Sequence, residues 1–418
     1  MTQSSVAQGA RTAVYAIPLD QIDVSQPELW TSDSHLSYFE RLRREDPVHF
    51  CKDSQFGPYW SITKYNDIMA VDTNHQVFSS EASLGGITID DQTEDLKQLR
   101  MFIAMDPPDH EGRRKAASPV VSPGNLKILE PLIRERVGKL FDELPRGETF
   151  DWVERVSIEL TTQMLATLFD FPFEERSKLT YWSDAATMTP GPDMPIKTYE
   201  EKFAIGGECL AAFTKLWNER VNEPPKGDFI SAMAHSEATR NMDPMEFLGN
   251  LILLIVGGND TTRNSITGSV YALHQNPDQF QKLKDNPALI PSMVSETIRW
   301  QTPLAHMRRT ALEDVEVGGK LIRKGDKVIM WYVSGNRDDT VIDNPNAYIV
   351  DRERPRTHIS FGFGIHRCVG NRLGELQLKI VWEEILKRFP KIEVVEEPTR
   401  VPSSFVRGYS KLLVRILA

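Results

Sequence analysis

The 418-residue chain reads as a mainly α-helical globular protein with small β-sheets (α+β), and three observations carry that expectation. Between Leu126 and His274 the apolar residues recur at three and four, as in LKILEPLIRERVGKLFDEL and VERVSIELTTQMLATLF. That is the period of helices that bury one face. Short β-type runs, Val48 to Phe50, Tyr59 to Thr63 and Lys327 to Val333, gather toward the two ends of the chain. Hydrophobic residues make up 40% and charged residues 26%, which suits a soluble chain with a deep core. Residues 1–30 are polar and read as an N-terminal arm. Over 31–418 no Gly/Ser tract, charge block or repeat intervenes, so a single domain is expected there.

Lys plus Arg number 49 and Asp plus Glu 59, a net charge of −10. This argues against general nucleic-acid binding. Cys51, Cys209 and Cys368 are too widely spaced for a disulfide framework or a zinc site and suit a reducing compartment. The opening MTQSSVAQGARTAV lacks the apolar core of a signal peptide, and the run LILLIV, Leu251 to Val256, is too short to span a bilayer. A cytoplasmic protein without a membrane span is expected.

The most informative helix runs from Asp243 to about Gln275. Asp243 suits the N-cap, Pro244 the first helical position and Glu246 the third, as in a capping box, and Asn276–Pro277 stops the helix. At 1.5 Å per residue it is roughly 48 Å long, enough to cross a whole core. In its middle stand Gly257, Gly258, Asn259, Asp260 and Thr261. Each mid-helix glycine costs about 1 kcal/mol against alanine. Close helix packing explains such glycines; so does a flat ligand lying against the helix. Asp260 and Thr261 place a carboxylate and a hydroxyl beside that gap, and a local distortion of the helix is expected there. The pair points to proton handling.

Near the C-terminus the chain reads SFGFGIHRCVG from Ser360 to Gly370, followed by a helical pattern from Asn371 to Lys387. Cys368 therefore sits in a glycine-rich loop just before a helix, where the helix N–H groups, His366 and Arg367 favour a thiolate. A nucleophilic cysteine and a soft thiolate ligand to a metal are both open readings. A buried inert thiol is the bland one, and the loop composition argues against it.

The spacing Phe361-x-x-Gly364-x-x-x-Cys368-x-Gly370 resembles the haem-thiolate signature of the cytochrome P450 family. Glu296-Thr-Ile-Arg299 resembles that family's E-x-x-R motif, and Gly257-Gly258-x-Asp260-Thr261 its oxygen-activation motif. The resemblance implies the family's fold, with the long helix crossing over haem b, and a monooxygenase that uses O2. It implies Cys368 as the iron ligand, with thiolate donation favouring O–O cleavage. It implies proton delivery by Asp260 and Thr261, a pair that peroxygenase-type relatives generally lack. Glu296, Arg299 and Arg352 (or Arg354 in place of Arg352) would hold the cysteine loop and play no catalytic part. The propionate partners would be His110 and Arg114 of the segment HEGRR, Arg309 of the R-x-A segment, and His366.

No flavin- or nicotinamide-binding region is visible, so the resemblance implies a ferredoxin and its reductase as electron donors. Arg113, Lys115, Arg367 and Arg372 would form a basic patch for the acidic donor. An apolar substrate pocket is expected from Ile87, Leu253, Leu254, Val256, Gly257, Leu304, Met307 and Phe405, with Ile89, Ala305 and Val406 as further members. The segments TPLAHMRRTALEDVEVGG and SFGFGIHRCVGNRLGELQLK resemble the bacterial subfamily that hydroxylates medium-chain alkanes and fatty acids at the terminal carbon. Three readings compete. One is a haem-thiolate hydroxylase of terpenes, steroids or macrolides; another is a haem-binding sensor or carrier without oxygenase activity; the third is a cysteine hydrolase, for which no positioned base is apparent.

Overall fold

The structure is a computed structural model that describes residues 13–91, 99–188, 190–192 and 194–417. The chain divides into two compact units, each assembled from separated stretches. The first draws on Met1–Thr93, Tyr271–Cys368 and Glu397–Lys411; the second on Glu94–Val270, Val369–Glu396 and Leu412–Ala418.

The first unit is built on a five-stranded sheet in the order Val48–Cys51, Tyr59–Ile62, Lys327–Met330, Met307–Ala311, Phe78–Ser79. Tyr59–Ile62 and Lys327–Met330 run parallel and the other pairs antiparallel. Every residue of Met307–Ala311 and of Lys327–Met330 is buried, including Arg308, Arg309 and Lys327. Charges so placed each require a partner. The β-run expected through Val333 stops at Met330. Trp331, fully buried with its indole N–H donating to Ser61 at 3.0 Å, turns the chain into the short helix Tyr332–Gly335.

The expected arm is folded over its described part. Ile22, Val24 and Trp30 lie in one buried cluster with Phe39, Leu42, Tyr59 and Trp331, and the Trp30 indole donates to the Val24 carbonyl at 2.9 Å. A few apolar residues in a polar stretch suffice, because a single tryptophan buries a large area.

The second unit is mostly helical. Pro123–Asp142 starts with Ser122 as its N-cap and Pro123 at the first position, and it lies along Asn371–Arg388. Arg134 on the first helix pairs with Glu383 and Glu384 on the second, and Arg388 pairs with Asp142. The helical stretch read from the periodicity is not continuous. Thr149–Asp151 is a strand, paired with Leu413–Ile416, which also pairs with Ile392–Val394. The segment that follows begins as wider π-type turns over Val153–Ile158 before the α-helix Glu159–Leu168.

The long helix runs unbroken from Pro244 to Gln275, 32 residues. The Asp243 carboxylate accepts from the N–H groups of Met245 (2.8 Å) and Glu246 (3.0 Å). Glu246 does not close a capping box: its buried carboxylate takes Arg113 at 2.9 Å. At the far end the Asn276 amide donates to the Ala272 carbonyl at 2.8 Å. Around Asp260, where a distortion is expected, the chain is helical throughout, and side chains of the same helix bond its carbonyls. The Thr261 hydroxyl donates to Gly257, the Asn264 amide to Asp260, and the Ser265 hydroxyl to Thr261.

Candidate functional site

Of the three cysteines, Cys51 and Cys209 are buried and Cys368 is exposed. Burial pushes the Cys51 thiol up to about 12 and the Cys209 thiol well above its ordinary value, so neither is a ready thiolate. The Cys368 N–H donates to the Phe361 carbonyl at 2.8 Å, closing the loop that presents the sulfur.

That loop is anchored at both ends of its upstream half. Arg299 and Glu296, wholly buried, pair at 2.8 Å, and Arg352 joins Glu296 at 2.8 Å. The structure thus brings together Glu296, Arg299 and, of the two arginines considered, Arg352. Burial alone would raise the Glu296 pKa, but Arg299 and Arg352 together hold it below the usual carboxylate range. Arg299 also donates to the Asn336 carbonyl at 2.9 Å. The Asn336 side chain in turn accepts from the Ile359 N–H (2.8 Å) and donates to the Ser360 hydroxyl (2.8 Å). The E-x-x-R pair thus reaches the first residues of the cysteine loop through one asparagine, which sequence reading did not single out.

A second anchor is Asp72, also missed. Its buried carboxylate accepts from Arg309 (2.9 Å), from the Tyr332 hydroxyl (2.9 Å) and from the Phe363 N–H (2.8 Å). Gly364 lies directly above it with φ +66°, and a Cβ there would sit 2.6 Å from the Asp72 carbonyl oxygen. Only glycine lets the loop pass so close. Arg309, expected at a propionate, thus has a resident carboxylate partner. His366 is buried, with its Nε2 2.8 Å from the Ser80 hydroxyl.

On the long helix the two central glycines have different reasons. A Cβ on Gly258 would lie 2.8 Å from Cδ2 of Leu165, so Gly258 answers to helix packing. A Cβ on Gly257 would meet nothing within 4 Å. Gly257 is exposed and Leu253, Val256 and Thr261 are half-buried, so one stripe of a core helix is left open. Leu254, expected in the pocket, is 6% exposed. Thr261, half-buried, lies one turn on from Gly257, and Asp260, on the same side of the helix as Val256 and Gly257 by its spacing, is buried at 1% exposed. Burial pushes the Asp260 carboxyl up to about 6, against the opposing pull of Arg263. Arg263 Nη2 lies 2.6 Å from Asp260 and 2.8 Å from Asp184, so one nitrogen serves two acids. The Ser183 hydroxyl donates to the other Asp260 oxygen at 3.3 Å.

The remaining candidates are scattered. His110 is buried at the start of helix Asp109–Ala117, and Arg114 is half-buried one turn on. Leu304 and Phe405 are half-buried and joined by the backbone pairing of Leu304 with Val406. Ile87 and Met307 are each 8% exposed. Ile89 and Ala305 belong to the core cluster of the first unit, and Val406 is buried. Of the expected basic patch, Lys115, Arg367 and Arg372 are exposed, whereas Arg113 is neutralised by Asp109 and Glu246.

These residues suit an iron macrocycle. Among the described residues no group of three or more His, Cys, Asp or Glu side chains could hold a bare metal ion. The exposed Cys368 sulfur fits a metal whose other positions are filled by its own ring, and the open glycine stripe fits a flat group.

The comparisons agree with this chemistry. The Cytochrome P450 family model matches residues 194–413. The solved structure of CYP153D17 from Sphingomonas sp. PAMC 26605 is 48% identical, covers 96% of this chain and 100% of its own, and superposes with a TM-score of 0.90. Linalool 8-monooxygenase of Pseudomonas putida is 35% identical over 95% of this chain and 99% of its own length. A methyl-branched lipid omega-hydroxylase of Mycobacterium tuberculosis is 29% identical over 95% of each. The fold is mainly helical with small sheets, the cofactor is haem b and the reaction is that of a monooxygenase: the chain belongs to the cytochrome P450 family.

Proposed function

We propose that the chain hydroxylates the terminal carbon of medium-chain alkanes or fatty acids in the cytoplasm, with electrons from a separate ferredoxin and its reductase. The haem, when bound, supplies the oxidising power that inserts one atom of O2 into a C–H bond. Cys368 holds its iron, and the Glu296–Arg299–Arg352 cluster with Asn336 and Asp72 fixes the loop that carries the sulfur. His110, Arg114, Arg309 and His366 meet the propionates. Asp260, its carboxyl pushed up to about 6, is mostly ionised at pH 7 but can take up and release a proton there, and Thr261 offers a hydroxyl on the open stripe, which suits proton delivery at that stripe.

The observation that carries this reading is that stripe. Leu253, Val256 and Gly257 are left accessible in the middle of a largely buried helix, next to one alcohol. An apolar lining beside a proton donor suits a hydrocarbon substrate. The terminal position rests on the two segments quoted above and on the relative named as an omega-hydroxylase. Primary C–H bonds are the strongest in an alkyl chain, so the chain end must be selected by positioning. The likeness to linalool 8-monooxygenase favours a second reading, a terpene alcohol substrate. Among the described residues no helix is long and apolar enough to cross a membrane.

Turnover of octane, dodecanoic acid and linalool with a bacterial ferredoxin and reductase separates these. The ω-alcohol as main product of the first two is expected. Only mid-chain oxidation, or turnover of linalool alone, would overturn the proposal.

A further inference from the structure

The segment Leu84–Asp91 has no regular secondary structure past Leu84, yet half of it is buried. Buried irregular backbone must find partners for its carbonyls outside itself. Here they come from two cations on the central strands of the five-stranded sheet. The Arg308 guanidinium donates to the carbonyls of Leu84 (3.4 Å) and Asp90 (3.2 Å), and its backbone N–H to the Ile87 carbonyl (2.8 Å). The Lys327 ammonium donates to the carbonyls of Ile89 (3.0 Å) and Phe56 (2.6 Å). The Thr310 hydroxyl adds a second donor to Leu84 at 2.8 Å. Gly85, at φ +114°, passes so close that a Cβ would lie 2.0 Å from Arg308 Nη2.

The charges in this arrangement are unequal. Arg308 and Lys327 have side chains 6% and 7% exposed, and a single carboxylate oxygen, Asp91 Oδ1, lies 2.9 Å from both. Asp91 itself is 68% exposed. Two buried cations thus share one surface acid as their ion-pair partner, with Asp90 adding negative charge beside them, and the shared acid is the last residue of the strap. Arg309, the next residue along the strand, projects to the opposite face and holds Asp72. Adjacent arginines on one strand therefore fix two different loops.

We propose that Asp91, through Arg308 and Lys327, clasps the strap Leu84–Asp91 and so sets the position of Ile87, making it a positioning residue for the choice of carbon oxidised. The inference rests on the reading of Ile87 as part of an apolar substrate pocket. Without the Asp91 charge the two cations repel each other at close range, and the strap carbonyls lose the alignment of their donors.

The test compares Asp91→Asn and Asp91→Glu with the wild-type holoenzyme. Amide hydrogen exchange across residues 84–91 in the resting protein should rise at least tenfold in Asp91→Asn and return toward wild type in Asp91→Glu. The product ratio, ω against ω−1 alcohol from octane, should shift at least threefold in Asp91→Asn, and Asp91→Glu should restore it. A loosened strap with an unchanged product ratio would show a merely structural clasp and overturn the inference, as would a strap that does not loosen. Should the wild type give no ω-alcohol, the terminal reading fails by itself. The clasp is then judged on the product ratio of whichever substrate the wild type oxidises.

Discussion

Glu296 and Asp260 are both buried carboxylates, each with an arginine three residues further along its own helix, and their proton affinities move in opposite directions. Glu296 is held below the ordinary carboxylate range; Asp260 is pushed up to about 6. The spacing is the same but the contact is not: Arg299 donates from two nitrogens to both Glu296 oxygens at 2.8 Å, whereas Arg263 reaches Asp260 with one nitrogen at 2.6 Å. Tertiary structure widens the difference. Glu296 also receives both forks of Arg352 and the N–H of Ile349 at 2.9 Å. Asp260 shares its arginine with Asp184 and otherwise has only Ser183 at 3.3 Å. A saturated acid is a structural clamp; an acid left short of donors keeps a proton within reach of neutral pH.

The largest consequence concerns the clamp. Arg299→Ala leaves Glu296 charged in a wholly buried place, and losing one partner of such a pair costs about 3–5 kcal/mol. Thermal melting of the holoenzyme should fall accordingly, and the cysteine loop should loosen with it, since Arg299 holds Asn336. Arg263→Ala should cost far less, because Asp260 accepts a proton instead. Equal losses in the two variants would erase the distinction between clamp and proton holder.

A smaller effect separates the two glycines one turn before Asp260. Gly258→Ala must push against Leu165, an overpacking that costs about 1–3 kcal/mol. Gly257→Ala meets open space and should stabilise the protein lacking haem by about 1 kcal/mol through helix propensity. In the haem-loaded protein that gain should vanish, because the flat group occupies the space. Melting both variants with and without haem checks this.

The parts of this molecule that were legible in the sequence are those whose chemistry is local. The cysteine loop, the E-x-x-R pair, the acid–alcohol pair and the caps of the long helix each lie within a few residues, so their spacing carries them. Asp72, Asn336 and Asp184 carried no such mark. Each matters through one contact with a residue far along the chain, and an aspartate or asparagine in a helical turn looks the same whether or not that contact forms. The strand Met307–Ala311 was invisible for a related reason. Two adjacent arginines do not look like a buried strand until their partners, Asp91 and Asp72, are brought to opposite faces of the sheet. The open stripe on the long helix was half legible: the glycines announced a gap, but only packing against Leu165 tells which of them borders it.

The finest test of the comparison is the sharing of Arg263. Among the described residues the charged groups facing Asp260 are Arg263, on its own helix, and Asp184, on helix Ser177–Thr187; Ser183 adds a hydroxyl. Since the folded pKa of Asp260, about 6, lies above its ordinary 3.8, protonation stabilises the folded state. That contribution is complete below the ordinary value and is lost as pH rises through about 6. The melting difference between wild type and Asp260→Asn should therefore change across that window. Arg263→Gln removes the positive charge that favours the carboxylate, so the upper end of the window should move to higher pH. Asp184→Asn removes a negative charge that disfavours it and leaves Arg263 wholly to Asp260, so the same end should move lower. Opposite displacements would show that one nitrogen arbitrates between the two acids, whereas displacement in the same direction would mean that Asp184 acts on Asp260 by some route other than competition for Arg263.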